Sequence, residues 1–262
     1  MRNSGEIVLM DFSGIYEEEQ FWKQERVSWV SLQEVSGTNC YCDEEAMKFL
    51  KKKIADYSPN GIHFLDSGNY HYMSRIWIEK IGSPFGLVVF DNHTDMQPPA
   101  FGGLLSCGGW IASSIEELPN LTKVILIGPD EEAWKQTNPV IREKVCFISR
   151  ECLAEKDFST EKLRIYLEET DDSLPFYISV DKDVLCPGEA YTSWSQGDMT
   201  VEVMLEMLDM IWEDRISRGN RIIGADICGE CDTRDTFQSY VNDEANRRIL
   251  TFFKKKERHN EK

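Results

Sequence analysis

Short apolar runs rich in β-branched residues alternate along this chain with segments whose apolar residues recur every three or four positions. The runs Ile7 to Met10 and Leu87 to Phe90 are apolar throughout, and Phe176 to Val180 is broken only by Ser179, the pattern of strands buried on both faces of a parallel sheet. Between them, Met47, Leu50, Ile54 and Tyr57 line one face of a helix over 43–57 whose other face is rich in lysine, and Val203, Leu205, Leu208, Ile211 and Trp212 do the same over 200–218. Further strands are predicted at 27–35, 62–65, 123–127, 144–148 and 221–225, and helices at 17–22, 72–81, 110–118, 130–134, 160–169 and 236–253. A solvated tail is expected after residue 253. Two stretches break the alternation. Residues 96–109 carry Pro98, Pro99 and several glycines, and 186–198 is similarly irregular, so both are predicted to be loops without helix or strand.

This order predicts an α/β protein: a single three-layer α/β/α domain over residues 1–262 with a mostly parallel sheet of about eight strands. Composition adds exclusions. The 29 basic and 46 acidic residues leave a net charge of −17, which disfavours nucleic acid or an anionic membrane as partner. No apolar run reaches the 18 or so residues of a spanning helix, and the start lacks a secretory pattern, so a cytoplasmic protein is expected. The eight cysteines sit mostly alone in apolar stretches, which suits reduced thiols. Cys228 and Cys231 form a C-x-x-C near a strand end, a weak pattern best explained by a tight turn. His63, inside a strand, reads as a core residue.

The candidate chemistry lies where strands end. Directly after Phe90 come Asp91, His93 and Asp95, and in an extended chain residues two apart point the same way. The strand ending at Val180 runs likewise into Asp181 and Asp183, with Lys182 facing away. His71 follows a third strand through a glycine-containing turn. Strand carboxyl ends of an open α/β sheet share one rim, so the three stretches can meet there. Two carboxylates at 4 Å repel by roughly 4 kcal/mol at an effective dielectric near 20, which makes a cation their natural partner.

These segments resemble the ureohydrolases of the arginase and agmatinase type. Ser67 to His71 is similar to the family's Gly-Gly-Asp-His segment, 91–95 to its Asp-x-His-x-Asp, and Ser179 to Asp183 to its Ser-x-Asp-x-Asp. The resemblance implies two manganese ions, one held by His71, Asp91, Asp95 and Asp181 and the other by Asp91, His93, Asp181 and Asp183. An oxygen-rich ligand set without thiolate agrees with manganese. It further implies metal-assisted hydrolysis of a linear C–N bond in a small guanidino or amine-derived substrate, with Asp95 beside the attacking water and homo-oligomers in prospect. Ser106 and Trp110 fall in the segment similar to the family's substrate loop. Two positions depart from the pattern: Trp110 stands where the family has a proton-shuttling histidine, and Gly229 where it has a substrate-gripping glutamate. Glu230, one residue later, is the candidate replacement. A deacetylase-like amidohydrolase and a non-catalytic metal-binding relative are the alternatives.

Overall fold

The computed structural model describes residues 5–98, 103–154, 163–164, 166–167, 173–231 and 235–260. Its strands are β1 (Glu6–Asp11), β2 (Val27–Ser31), β3 (Tyr41–Cys42), β4 (Gly61–Phe64), β5 (Phe85–Phe90), β6 (Leu105–Ser106), β7 (Leu121–Ile127), β8 (Val145–Ile148), β9 (Phe176–Asp181) and β10 (Ile222–Cys228). Eight of them form one sheet in the order β2-β1-β4-β10-β9-β5-β7-β8, and every pairing in it is parallel. The order places β10, β9 and β5 side by side near the middle, so the ends of β9 and β5 are neighbours although 91 residues separate Phe90 from Asp181.

Alternation along each strand separates two cores. Val88 and Phe90 of β5 join Ile178 and Val180 of β9 in one layer, packed on Met204, Leu208 and Ile211 of the helix Val201–Ser217 and on Ile249 and Phe253 of the helix Thr236–Asn260. Leu87 and Val89 point to the other face, where they meet Leu50, Ile76, Trp77 and Ile111 from the helices Glu44–Lys53, Met73–Ile78 and Trp110–Glu117. Each such aliphatic side chain contributes about 1.5 to 3 kcal/mol by leaving water. The result is the three-layer architecture expected from the sequence. Asp43, Asp130 and Thr200 cap their helices by accepting backbone N–H bonds from Ala46, Ala133 and Val203, each contributing about 1 kcal/mol.

Several boundaries differ from the periodicity. A 3-10 turn at Ile15–Glu17 replaces the helix expected at 17–22. The first irregular stretch contains β6, which pairs antiparallel with β3 across the Tyr41–Ser106 register, and a 3-10 turn at Cys107–Gly109, so this loop is tied to the body rather than free. The C-terminal helix continues to Asn260, beyond the 253 expected, its added turn carrying Lys256, which bridges to Asp209 (2.7 Å) and Glu213 of the neighbouring helix. Most of the helix expected at 160–169 lies outside the described residues, as does Pro99. His63 is the expected core residue: fully buried, it stacks on Trp77 at 3.7 Å between ring centroids, and burial pushes its pKa down to about 3. Among the described residues no helix is long and apolar enough to cross a membrane.

Candidate metal centre

β5 ends at Phe90, and the backbone beyond it is not extended. Asp95 sits at φ 47, in the left-handed region that a branched residue occupies at a cost. The convergence of Asp91, His93 and Asp95 therefore does not come from strand alternation; the chain bends, and the three side chains divide between two groups. His71, Asp91 and Asp95 form one, and Asp91, His93 and Asp183 the other, with donor atoms in each group within 4.8 Å of one another. Asp91 belongs to both.

In the first group His71 Nδ1 lies 3.2 Å from Asp91 Oδ2, 3.1 Å from Asp95 Oδ2 and 3.5 Å from Asp181 Oδ2. Its other nitrogen, Nε2, is 2.9 Å from Ser179 Oγ, which donates to Asp226 Oδ1 at 2.7 Å; Ser74 Oγ donates to the same oxygen at 2.9 Å. A chain of carboxylate, hydroxyl and imidazole thus fixes the ring so that Nδ1 faces the carboxylates, the arrangement by which proteins orient metal-binding histidines. In the second group His93 Nδ1 is 2.8 Å from Asp183 Oδ2 and 3.6 Å from Asp91 Oδ1. Backbone donors hold these carboxylates: Asn92 N–H to Asp183 at 2.9 Å, His93 N–H to Asp91 at 2.6 Å, and Asp183 N–H to Asp181 at 2.9 Å. The four aspartates and His71 are buried, whereas His93 is about one-third exposed and marks the open side.

Electrostatics shows what the cluster lacks. Burial together with the charges of Asp181 and Asp91 pushes Asp183 well up, and burial with Asp91 raises Asp95 to about 7. Burial also works against the charged form of Asp91, but hydrogen bonds and charge from His71 and His93 outweigh it and hold this carboxyl well below its ordinary value. The imidazoles respond in kind: burial opposes their charge, yet Asp183 and Asp91 drive His93 up to about 12. The carboxylates thus favour positive charge on both imidazoles.

Three residues proposed for substrate contact lie elsewhere than expected. Trp110 is fully buried, its indole donating to Asp95 Oδ2 at 2.7 Å and its ring tilted against His71 at 4.8 Å. A buried indole N–H needs an acceptor, and Asp95 supplies it, so Trp110 steadies the cluster from inside instead of lining the rim. Glu230 is also buried: its Oε1 accepts from Lys182 Nζ and, at 2.8 Å, from Asn246 Nδ2. Lys182 does turn away from its aspartate neighbours, but into the protein, where it neutralises Glu230. Ser106 on β6 lines a cleft of about 820 Å³ together with Thr94, Met96 and Gln97, a cleft whose lining includes none of the six candidate ligands. Gly229 accounts for the departure at its own position. With φ 96, a Cβ there would lie 2.5 Å from Asp181 Oδ1 and 2.7 Å from Lys182 N, so no glutamate fits.

Comparison with known proteins gives the family and the fold. The sequence pattern described as Arginase family matches residues 61–232. The chain belongs to the arginase family. An uncharacterised protein of Thermotoga maritima is 30% identical over 259 residues, covering 95% of this chain and 90% of its own. Solved structures with the same fold include a proclavaminate amidino hydrolase from Streptomyces clavuligerus, 15% identical with a TM-score of 0.66 and covering 96% of this chain and 93% of that one. An agmatine ureohydrolase of Thermoplasma volcanium is 14% identical with a TM-score of 0.65, covering 98% and 92%, and a formimidoylglutamase from Bacillus subtilis is 12% identical with a TM-score of 0.62, covering 96% and 87%. Two of these neighbours are hydrolases by name.

Sequence reasoning assigned Cys228 to a tight turn and gave no role to Trp194 and Ser195. Cys228 Sγ donates to Asp181 Oδ2 at 3.2 Å, and burial with the Asp181 charge pushes the thiol well up. Trp194 is partly exposed, 5.8 Å from His93 ring to ring, and donates to Asn69 Oδ1 at 2.9 Å; Ser195 Oγ is 2.9 Å from His93 Nε2. For Trp194 and Ser195 the signal was position alone, in the loop that follows the Asp181 strand; for Cys228 it was the end of the strand beside it.

Proposed function

We propose that this arginase-family member is a two-metal hydrolase that cleaves a linear C–N bond in a guanidino or related amine-derived small molecule. The observation that carries the reading is the pair of donor groups joined through Asp91. Asp91 Oδ2, Asp95 Oδ2 and Asp181 Oδ2 are buried within 3.1 to 3.5 Å of the one nitrogen His71 Nδ1, and so many oxygens crowded on one point suit a shared cation. His71, Asp91, Asp95 and Asp181 would hold one divalent ion, and Asp91, His93, Asp181 and Asp183 the other. Four carboxylates carry charge −4, which two divalent cations balance. The fit to the donor set is therefore good, and manganese suits its oxygen-rich character.

When bound, such ions would acidify a water and polarise the bond to be cleaved. The chain itself supplies the rest. Ser179 and Asp226 fix the tautomer of His71, and the Trp110 indole fixes Asp95 beside the place of attack. Substrate approaches from the His93 side, where Trp194, Asn69 and Ser195 offer a ring face and polar groups to a planar head. The proton given to the departing amine cannot come from Trp110, so turnover is slower by about a hundredfold to ten-thousandfold than with a histidine in that place.

A deacetylase-like action on a neutral amide is the second reading. It is favoured by one observation: Glu230 is neutralised by Lys182, which removes the carboxylate expected to grip a cationic head. The test is to load the protein with manganese and follow urea, ammonia and acetate from arginine, agmatine, guanidino acids and acetylated polyamines. Urea release abolished by Asp91→Ala is the expected result. Acetate alone moves the assignment to the second reading, and no product with both sites filled defeats both.

A further inference from the structure

We propose that Cys228 is an additional ligand of this centre, so that the ion beside His71 is held through sulfur as well as nitrogen and oxygen. The inference rests on the cluster's being a metal centre. Sheet register creates the placement. β10 runs parallel to β9, and Cys228 is the direct partner of Asp181, so the two side chains leave neighbouring backbone positions at the same end of the sheet. The chain turns at once after Cys228 through Gly229, packed against Asp181, which seats the thiol at the cluster.

The distances suit ligation. Cys228 is fully buried, its Sγ lies 3.2 Å from Asp181 Oδ2, and a ring nitrogen of His71, a carboxylate oxygen of Asp181 and the sulfur all lie within 4.8 Å of one another. An ion about 2.3 Å from sulfur and about 2.1 Å from oxygen would see donors 3.2 Å apart at roughly 90°, within the range of ordinary coordination. A second observation points to the same ion: the buried Asp91 Oδ2 and Asp95 Oδ2 converge on the same histidine nitrogen from 3.2 and 3.1 Å and form a second donor group with it. Cys231 takes no part. It is only partly buried, and its Sγ reaches Gln238 Oε1 at 3.5 Å, so the C-x-x-C is not a joint site.

In the ligation step the S–H bond breaks as the sulfur–metal bond forms, and the proton leaves to solvent; nothing is oxidised or reduced. A thiolate makes the His71 side softer than the His93 side, which keeps only nitrogen and oxygen. The first therefore prefers zinc or iron(II), and the second accepts manganese equally well. An expectation of manganese at both sites assumed that no thiolate was within reach.

The test is X-ray absorption at the zinc edge on the full chain loaded with two equivalents of zinc, with optical spectra of the cobalt-loaded protein alongside. Wild type is expected to show a sulfur shell at about 2.3 Å, averaging one sulfur over two zinc ions, and a sulfur-to-cobalt charge-transfer band. Both disappear in Cys228→Ser and persist in Cys231→Ser. If Cys228→Ser fails to fold, the wild-type and Cys231→Ser spectra decide. Two zinc ions bound through nitrogen and oxygen alone would overturn the inference and leave the metal centre standing. A wild type that binds no zinc would overturn both.

Discussion

Gly229 offers a perturbation whose cost follows from the coordinates. The residue has φ 96, and a Cβ built there lies 2.5 Å from Asp181 Oδ1 and 2.7 Å from Lys182 N. Alanine in the left-handed region costs about 1 to 2 kcal/mol, and forcing a methyl group into a packed site adds about 1 to 3. Together these predict a loss of about 2 to 5 kcal/mol for Gly229→Ala. At roughly 2 to 4 °C per kcal/mol for a chain near this size, the melting temperature of the metal-free protein falls by about 4 to 20 °C. Gly82→Ala is the control, because nothing lies within 4 Å of its added Cβ, and its melting temperature stays within about 2 °C of wild type. Calorimetry on the three proteins decides. The reasoning extends to Gly229→Glu, which puts the family residue back at its family position: with no room for its Cβ, it destabilises at least as much and does not raise turnover. A melting temperature for Gly229→Ala equal to that of the control would refute the close approach of this turn to Asp181.

Three other outcomes follow. Lys182→Met leaves Glu230 buried without its counter-charge and costs about 3 to 5 kcal/mol, measurable by denaturant unfolding; a loss below 1 kcal/mol would mean that the pair is not closed to water. Asp226→Asn weakens the hold on Ser179 and His71, so affinity for one ion falls about 10- to 100-fold while the other is little changed, as two-site calorimetric titration would show; equal weakening of both would contradict the relay. Metal binding at pH 7 releases at least two protons, because His71 and His93 are pushed up in the metal-free chain and must lose their protons to ligate, and affinity therefore falls as pH is lowered. Calorimetry in two buffers of different ionisation enthalpy counts those protons, and a count of zero would remove the electrostatic argument.

Much of this was legible because local pattern and tertiary demand agree. Leu87 to Phe90 is apolar at every position since both faces of β5 are covered, and the carboxylates after Phe90 and Val180 stand out because nothing in a core explains them. What stayed hidden depends on partners remote in sequence. Glu230 looked available at a strand end, yet its charge is taken by Lys182, 48 residues earlier. Trp110 was placed at the start of a helix and, by resemblance, beside the substrate; only the fold shows that its N–H has Asp95 as acceptor. The strand expected over 221–225 runs on to Cys228; Ser74 and Ser179, from two other segments, both donate to Asp226 Oδ1 inside it. The bend that brings Asp95 to His71 lies in one left-handed residue, for which the sequence carries no distinctive sign.

The central claim is that the two donor groups joined by Asp91 hold two divalent ions. Anomalous diffraction from crystals of the manganese-loaded protein, recorded on either side of the manganese edge, tests it most directly. The account predicts two peaks, one among His71, Asp91, Asp95 and Asp181 and the other among Asp91, His93, Asp181 and Asp183, with both lost in Asp91→Ala. Full occupancy elsewhere on the acidic surface, with no peak between His71 and His93, would contradict it.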